Sequence, residues 1–166
     1  MMEESTEFIG PKLAPFNPSG EDAIRMAIEM LQLAEESVLY DLGCGDGRLL
    51  TEAVKSSGAR GIGVEYDKRF ADRALKRVAE AQLEHKIDIV HGNVLDADID
   101  DATAVFVYLV PAGMTLLKQA LVSRLQRGAR VVTYVFSIPG LIPVRMETFK
   151  ATKIYLYTAA SLEPAP

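Results

Sequence analysis

The stretch Val38-Leu39-Tyr40-Asp41-Leu42-Gly43-Cys44-Gly45-Asp46-Gly47-Arg48 decides the fold of this 166-residue chain. A short apolar run comes first, three alternate glycines follow, and a helical pattern begins after them. Such glycines permit positive φ angles and let a ligand approach the backbone closely. A tight turn without a ligand is the structural alternative. In a strand-loop-helix unit of a parallel sheet, this loop lies at the carboxyl edge of the strands, where ligands bind.

The rest of the chain alternates between apolar runs and helical patterns, which is typical of a parallel sheet with helical crossovers. Runs rich in Val, Ile and Tyr predict five parallel strands, over residues 38–42, 61–65, 87–91, 104–109 and 130–136. Helices are predicted over residues 20–34, 47–57, 67–84 and 114–125. Ser19 is a candidate cap for the first helix, and Gly58 and Gly128 stand where helix ends favour glycine.

Two closely spaced apolar runs end this alternation. Residues 142–148 and 152–159 are predicted to be strands joined by a tight turn, and strands joined so closely run antiparallel. The predicted fold class is therefore α/β, with seven mostly parallel strands and a C-terminal antiparallel hairpin, an arrangement that resembles the Rossmann-like sheet of class I methyltransferases. We expect one domain over residues 15–160, with a flexible segment over residues 1–14 and a tail over residues 161–166.

Two acidic residues distinguish the glycine loop from a dinucleotide site. The dinucleotide spacing G-x-G-x-x-G fails in both registers, because positions 48 and 50 hold arginine and leucine. Asp41 and Asp46 would repel a pyrophosphate but would attract a ligand that carries positive charge. S-adenosylmethionine carries both an ammonium and a sulfonium. We therefore expect this cofactor to bind at Asp41, Gly43, Gly45 and Gly47.

Residues after the next two predicted strands complete an adenosine site. Glu65 ends the second strand, where an acidic side chain accepts hydrogen bonds from the ribose hydroxyls of an adenosine. Asn93 follows the third strand and is predicted to bond the adenine edge, with Tyr66 and Val94 as apolar walls. A solvated charge at a strand end is the alternative for Glu65, but the glycine loop upstream favours the ribose role.

Several other segments carry a family resemblance. They include Pro15-Phe16-Asn17-Pro18-Ser19, the glycine loop and the run from Gly61 to Glu65. They continue in Gly92-Asn93, Asp101-Ala102-Thr103, Gly128-Ala129-Arg130-Val131-Val132 and Tyr155-Leu156-Tyr157. Over about residues 15–157 the chain resembles the small archaeal-type protein lysine methyltransferases. It also resembles their mitochondrial relatives, which modify an ATP synthase subunit or the adenine nucleotide translocase.

The resemblance implies that the segment ahead of the first helix folds over the methionine end of the cofactor. The family usually has Pro-Tyr-x-Pro-Thr there, whereas this chain has Phe16 for the tyrosine and Ser19 for the threonine. Ser19 keeps a hydroxyl for the cofactor carboxylate. The resemblance further implies methyl transfer to lysine ε-amines of a protein partner. The mitochondrial relatives carry a hydrophobic anchoring segment that we do not find here, so their particular substrates are not carried over.

The expected chemistry points to two tyrosines. Methyl transfer from a sulfonium is an in-line displacement, so the enzyme must mainly hold the nucleophile and the methyl group in attack geometry. A lysine must first lose its proton, and a desolvated channel beside a cationic sulfonium favours the neutral amine. Tyr108 and Tyr134, at the ends of the fourth and fifth predicted strands, are candidates to line that channel. Tyrosines in buried strands are otherwise core residues.

Composition argues against several other partners. The net charge is -5, and Tyr108-Leu109-Val110-Pro111 stands where nucleobase amino-methyltransferases carry Asn or Asp before Pro-Pro, so we expect no nucleic acid. No apolar run approaches the roughly 20 residues of a membrane span, and the acidic first residues are unlike a targeting signal. We therefore expect a cytoplasmic protein that binds no membrane. The single Cys44 and two isolated histidines predict no metal site.

Two alternatives to a protein lysine methyltransferase stay open. A small-molecule methyltransferase usually encloses its substrate with a helical lid. Here only residues 136–143 intervene after the fifth predicted strand, which leaves little room for such a lid. A non-catalytic S-adenosylmethionine-binding partner module is the other alternative, and the intact glycine loop, Glu65 and Ser19 speak against it. The sequence leaves the oligomeric state open.

Overall fold

The architecture is a single seven-stranded sheet with helices on both faces, seen in a computed structural model that describes residues 20–164. The strands are β1 (Val38–Leu42), β2 (Arg60–Glu65), β3 (Ile87–His91), β4 (Ala104–Val107), β5 (Arg130–Tyr134), β6 (Arg145–Phe149) and β7 (Thr152–Tyr157). The α-helices are α1 (Glu21–Leu31), α2 (Arg48–Ser57), α3 (Lys68–Glu80) and α4 (Pro111–Gln126). A 3-10 helix over Val94–Asp96 occupies the short crossover between β3 and β4, and another covers Ala159–Leu162.

The strand order places a topological switch beside the glycine loop. The order across the sheet is β3-β2-β1-β4-β5-β7-β6, and strands β1 to β5 run parallel. Strand β7 pairs antiparallel with both β5 and β6. This arrangement confirms the predicted fold class. Because β1 lies between β2 and β4, the connections diverge at its carboxyl end and leave a crevice there, which is where α/β sheets bind ligands.

Side chains alternate between two hydrophobic layers, as the pleat of a strand requires. One layer packs helices α1 and α2 against strand residues that include Leu39, Phe106 and Val132. The other packs α4 against residues that include Val105 and Val131. Buried strands on both faces explain why the parallel runs are almost continuously apolar.

Helix α2 packs unusually close to β2 because that strand carries glycines. A Cβ atom added at Gly61 would lie 2.7 Å from Leu50 Cδ1. One added at Gly63 would lie 2.8 Å from the Cys44 sulfur. The glycines therefore let the glycine loop and the start of α2 rest directly on the sheet, which fixes the loop beside the end of β2.

Several elements have different bounds from those predicted. Strand β5 ends at Tyr134 rather than residue 136, because Val135 has a φ of 71° and turns the chain. Strand β4 ends at Val107 rather than residue 109. Helix α4 begins at Pro111, not Met114, because the fixed φ of proline suits the first helical position. Helix α3 ends at Glu80 rather than residue 84.

Differences also occur at both ends of the described chain. The N-cap of α1 is Gly20 rather than the predicted Ser19. Strand β6 begins at Arg145 rather than residue 142, since Pro143 cannot donate to a ladder. Residue 161, the first of the predicted tail, is a buried serine within the last 3-10 helix. Gly58 caps α2 with a φ of 78°, as predicted.

Candidate functional site

The glycine loop, defined as residues 43–47, is held to the sheet by its backbone. The N–H groups of Gly43 and Cys44 both donate to the carbonyl of Val64, at 2.9 and 3.1 Å. Gly43, Gly45 and Gly47 have φ angles of 86°, 58° and 81°, which favour glycine. A Cβ atom at Gly45 would meet nothing within 4 Å, so this residue faces open space at the sheet edge.

Asp41 places a buried carboxyl group directly under this loop. The residue is only 2% exposed, and its Oδ1 atom has no hydrogen-bond partner among the described residues. Burial, followed by the nearby charges of Glu65 and Asp46, raises the pKa of Asp41 to about 8. Buried polar atoms are nearly always hydrogen-bonded, so an orphaned carboxyl oxygen at a sheet edge indicates a place for a donor or cation from a ligand.

Glu65 ties the end of β2 to the glycine loop. Its Oε1 atom accepts a hydrogen bond from the N–H of Gly45 at 2.7 Å, and its Oε2 atom accepts one from the N–H of Asp67 at 3.0 Å. Burial raises the pKa of this carboxyl, and the two backbone donors partly oppose the shift. Each oxygen keeps a lone pair for a ribose hydroxyl. The residue therefore positions the loop as well as facing the predicted ribose site.

Asp46 is the acidic residue of the loop that has a cationic partner. Arg77, on α3, lies 3.4 Å from its Oδ2 atom and donates from Nε to its backbone carbonyl at 3.1 Å. The side chain of Asp46 also accepts from the N–H of Arg48 at 3.2 Å. Arg77 therefore braces the loop from outside, and nothing in the sequence pattern had singled it out.

The arrangement fits S-adenosylmethionine. Three carboxyl groups, at Asp41, Asp46 and Glu65, surround a backbone cradle that is open at Gly45, and the pKa of Asp41 is raised by burial and by the charges of the other two. A cationic ligand would relieve this repulsion, whereas a pyrophosphate would increase it. Asp41 is placed to hold an ammonium and Glu65 a ribose diol.

The predicted adenine residues lie at the carboxyl ends of β2 and β3. The N–H of Gly92 donates to the carbonyl of Glu65 at 2.9 Å, which brings the two strand ends together. The Oδ1 atom of Asn93 accepts from the N–H of Leu95 at 2.9 Å and so caps the 3-10 helix, which leaves its side-chain NH2 as a donor. Val94 is buried and Tyr66 is half-buried.

Tyr108 and Tyr134 form an aromatic pair on the same sheet face as Asp41. Their ring centroids are 4.7 Å apart and their planes meet at 84°, an edge-to-face contact. Both residues are buried, at 8% and 4% exposure, and both belong to the layer that packs against α1 and α2. The structure thus brings the two predicted acceptor-site tyrosines together at the carboxyl ends of β4 and β5. The predicted cofactor residues Phe16 and Ser19 lie outside the described residues.

The fold and the site together define an S-adenosylmethionine-dependent methyltransferase of class I, and comparisons with known proteins agree. The family described as the ANTKMT methyltransferase domain matches residues 41–145. The chain is 33% identical to a protein-lysine N-methyltransferase of Saccharolobus islandicus over 78% of this chain and 81% of that protein. The chain therefore belongs to the ANTKMT methyltransferase domain family, which confirms the resemblance found in the sequence.

Two further comparisons bear on the substrate. The chain is 27% identical to a rat lysine N-methyltransferase named for an ATP synthase subunit, over 84% of this chain and 65% of that protein. A solved structure, described as an RNA methyltransferase from Salinibacter ruber in complex with S-adenosyl-L-homocysteine, superposes with a TM-score of 0.82. It is 32% identical and covers 90% of this chain and 97% of its own. Both descriptions name methyltransferases, but they name different classes of acceptor.

We predict that cofactor binding is linked to the protonation of Asp41. A cation beside the carboxylate lowers the raised pKa of about 8, so binding should release a proton and tighten as the pH rises from about 6 to 8. S-adenosylhomocysteine is a suitable ligand because it carries the same ammonium. Titration calorimetry near pH 6.5 in phosphate and in imidazole, whose ionisation heats differ, measures the released proton, since an α-amino group remains charged there.

The matched variant for this experiment is Asp41→Asn, which keeps the shape but cannot ionise. It should release no proton and should bind about ten- to a hundredfold more weakly, because a charged hydrogen bond contributes about 1.5 to 3 kcal/mol. Equal proton release by the wild type and the variant would contradict the assignment.

The carboxyl group of Asp41 should also make the stability of the cofactor-free protein depend on pH. Because the folded pKa of Asp41 is raised above its unfolded value of about 3.9, the folded state keeps a proton that the unfolded state loses. Asp41 should therefore lower the stability progressively between about pH 4 and pH 8. In Asp41→Asn that part of the pH dependence should disappear from the thermal unfolding curves.

We predict that Glu65→Ala lowers both the melting temperature and the cofactor affinity, since it leaves the N–H groups of Gly45 and Asp67 without their acceptor. An orphaned buried donor costs about 1 to 3 kcal/mol, equivalent to a drop of several degrees. Glu65→Gln, which keeps one acceptor oxygen, should be milder. Glu52→Ala, at an exposed position of α2, is the control. If Glu65→Ala lost cofactor affinity but kept the melting temperature of the wild type, Glu65 would contact the ligand without stabilising the loop.

Proposed function

We propose that this methyltransferase transfers methyl groups to lysine ε-amines of protein substrates. The observation that carries the proposal is that the buried pair of Tyr108 and Tyr134 lies next to the start of the glycine loop, because the N–H of Tyr108 donates to the carbonyl of Leu42 at 3.4 Å. The protein-lysine N-methyltransferase of Saccharolobus islandicus, 33% identical over 78% of this chain, supports the choice of lysine.

Methyl transfer requires the protein mainly to position the amine against the methyl group and to exclude water from the amine. The cofactor supplies an electrophilic methyl group on a sulfonium. Asp41 and Glu65 hold the cofactor, and the apolar faces of Tyr108 and Tyr134 exclude water from the approaching amine. The ordinary pKa of a lysine side chain is about 10.4, and a dry, cation-flanked channel favours its neutral form. No covalent intermediate on the protein is needed.

The shape of the acceptor side favours a side chain that projects from a larger partner. The segment of residues 135–144, between β5 and β6, forms no helix in the part of the chain that the structure describes. It runs across the α4 face instead, where Ile138 is buried and its N–H donates to the Tyr157 hydroxyl at 2.9 Å. We call the opening beside Tyr108 and Tyr134, through which the acceptor amine would enter, the acceptor mouth. The segment of residues 135–144 therefore does not cover the acceptor mouth, unlike the lid of a small-molecule methyltransferase.

RNA methylation is the second candidate, because the Salinibacter ruber structure is described as an RNA methyltransferase. The acidic balance of this chain, with a net charge of -5, weakens the electrostatic attraction that nucleic-acid binding depends on. The exposed residues Asp96, Asp98 and Asp100 lie between β3 and β4 and add negative charge beside the predicted adenine site. We therefore place protein ahead of RNA as the acceptor.

We also propose that the protein acts in the cytoplasm without binding a membrane, on the basis of its composition. Among residues 20–164, none of the helices combines the length and apolar character required to cross a bilayer. Cell fractionation followed by immunoblotting tests the location, and recovery in the membrane fraction would contradict it.

We predict that radiolabelled S-adenosylmethionine transfers label to lysines when the purified protein is incubated with cell lysate. Parallel samples treated with ribonuclease or with protease separate the two acceptor classes, and tryptic mass spectrometry locates the methyl groups. Rates on lysine should rise from about pH 7 towards pH 9, because only the neutral amine attacks. The control is Asp41→Ala, which should lose transfer through weakened cofactor binding. Label that survives protease but not ribonuclease would replace lysine by RNA as the acceptor.

A further inference from the structure

Val135, directly after β5, has a backbone conformation that β-branched residues rarely adopt. Its φ is 71°, and the N–H of Phe136 donates to the carbonyl of Tyr134 at 2.8 Å. A hydrogen bond from residue i+2 to residue i around a positive φ defines a γ-turn of the rare, strained type. A branched side chain makes the conformation costlier still, because Cβ crowds the backbone there.

A hydrogen bond to the neighbouring strand β7 holds this turn in place. The N–H of Val135 donates to the carbonyl of Lys153 on β7 at 2.7 Å, so the residue stays attached to the sheet while the chain turns. The turn also reverses the sheet face. Tyr134 lies in the layer beneath α1 and α2, whereas Phe136 packs against the α4 layer, although residues two apart in a regular strand share a face.

The turn constrains the backbone of Tyr134, because the carbonyl of this residue accepts the hydrogen bond that closes the turn. Two aromatic rings contact the ring of Tyr134: that of Phe106 on β4 and that of Tyr108, directly after β4. The Tyr134 ring meets that of Tyr108 edge to face at 4.7 Å, and its centroid lies 6.3 Å from that of Phe106 at a tilt of 44°. A continued regular strand would carry the chain onward in the sheet at this point. The γ-turn instead ends the strand directly after Tyr134, at the position where its ring contacts that of Tyr108.

We propose that Val135 is a positioning residue, whose strained γ-turn fixes Tyr134 and thereby the Tyr108–Tyr134 ring pair at the acceptor mouth. Strained backbone persists only where its surroundings over-determine it, and it concentrates at functional sites. This inference rests on the proposed acceptor role of the two tyrosines. Val135 acts on the acceptor only through Tyr134, so it should affect the rate of transfer and not cofactor binding.

The test compares a variant that removes the turn with variants that preserve it. Val135→Pro fixes φ at about -65° and lacks the N–H that donates to Lys153, whereas Val135→Gly and Val135→Asn accept a positive φ readily and keep the turn. Two-dimensional NMR of tyrosine-labelled protein reports the contact between the two rings without any substrate, and only six tyrosines contribute signals. Kinetics with the acceptor that the wild type uses gives kcat and KM, and calorimetry gives the affinity for S-adenosylhomocysteine.

Val135→Pro should lose the ring contact and about tenfold in kcat, since a misplacement of about 1 Å can cost up to a hundredfold. Its S-adenosylhomocysteine affinity should equal that of the wild type, and Val135→Gly and Val135→Asn should match the wild type in all three measurements. An intact ring contact or an unchanged kcat in Val135→Pro, or a lost ring contact in Val135→Gly and Val135→Asn, would overturn the proposal. If the wild type methylates no lysine, the proposed function fails, and the ring contact alone decides the role of Val135.

Discussion

The carboxyl group of Asp41 sets the main constraint on this molecule, because it is buried near the end of β1 with one oxygen atom unpartnered among the residues that the structure describes. Burying a charge is costly unless it is paired, and here Glu65 and Asp46 add repulsion to the cost. The rest of the site can be understood as the means of bringing a cationic ligand to this carboxyl. The protein thus carries an electrostatic cost in its own fold that the cofactor's ammonium would offset.

The parallel sheet makes this arrangement possible. The glycines of β2 let α2 and the glycine loop lie close against the sheet, and the switch in strand order beside β1 leaves the crevice into which Gly45 faces. Glu65 then bonds the loop from beneath and Arg77 braces it from outside. Two strands away, the end of β5 places Tyr134 against Tyr108, so the predicted cofactor residues and the two proposed acceptor-site tyrosines lie on one face of the sheet, at the same edge.

Much of this could be predicted because it depends on local patterns. The glycine spacing, the apolar runs and the close C-terminal strands predicted the sheet, its mixed direction and the residues that gather at its edge. The contacts that join separate elements could not be predicted in this way. Periodicity does not reveal that Glu65 accepts from Gly45, or that Arg77 reaches Asp46. The early end of β5 could not be predicted for a related reason, since Val favours strands, and the hydrogen bonds that accompany the positive φ of Val135, among them the one to Lys153, depend on the tertiary structure.

The central claim is that the glycine loop and the carboxyl groups around it bind S-adenosylmethionine and not a dinucleotide. It is tested most directly by titration calorimetry of the purified protein with S-adenosylhomocysteine and with NAD. Both ligands contain adenosine, but one carries an ammonium and the other a pyrophosphate, so the comparison tests which charge the carboxyl groups around the loop accept. The structure predicts saturable binding of S-adenosylhomocysteine and none of NAD under the same conditions. Tighter binding of NAD than of S-adenosylhomocysteine would contradict it.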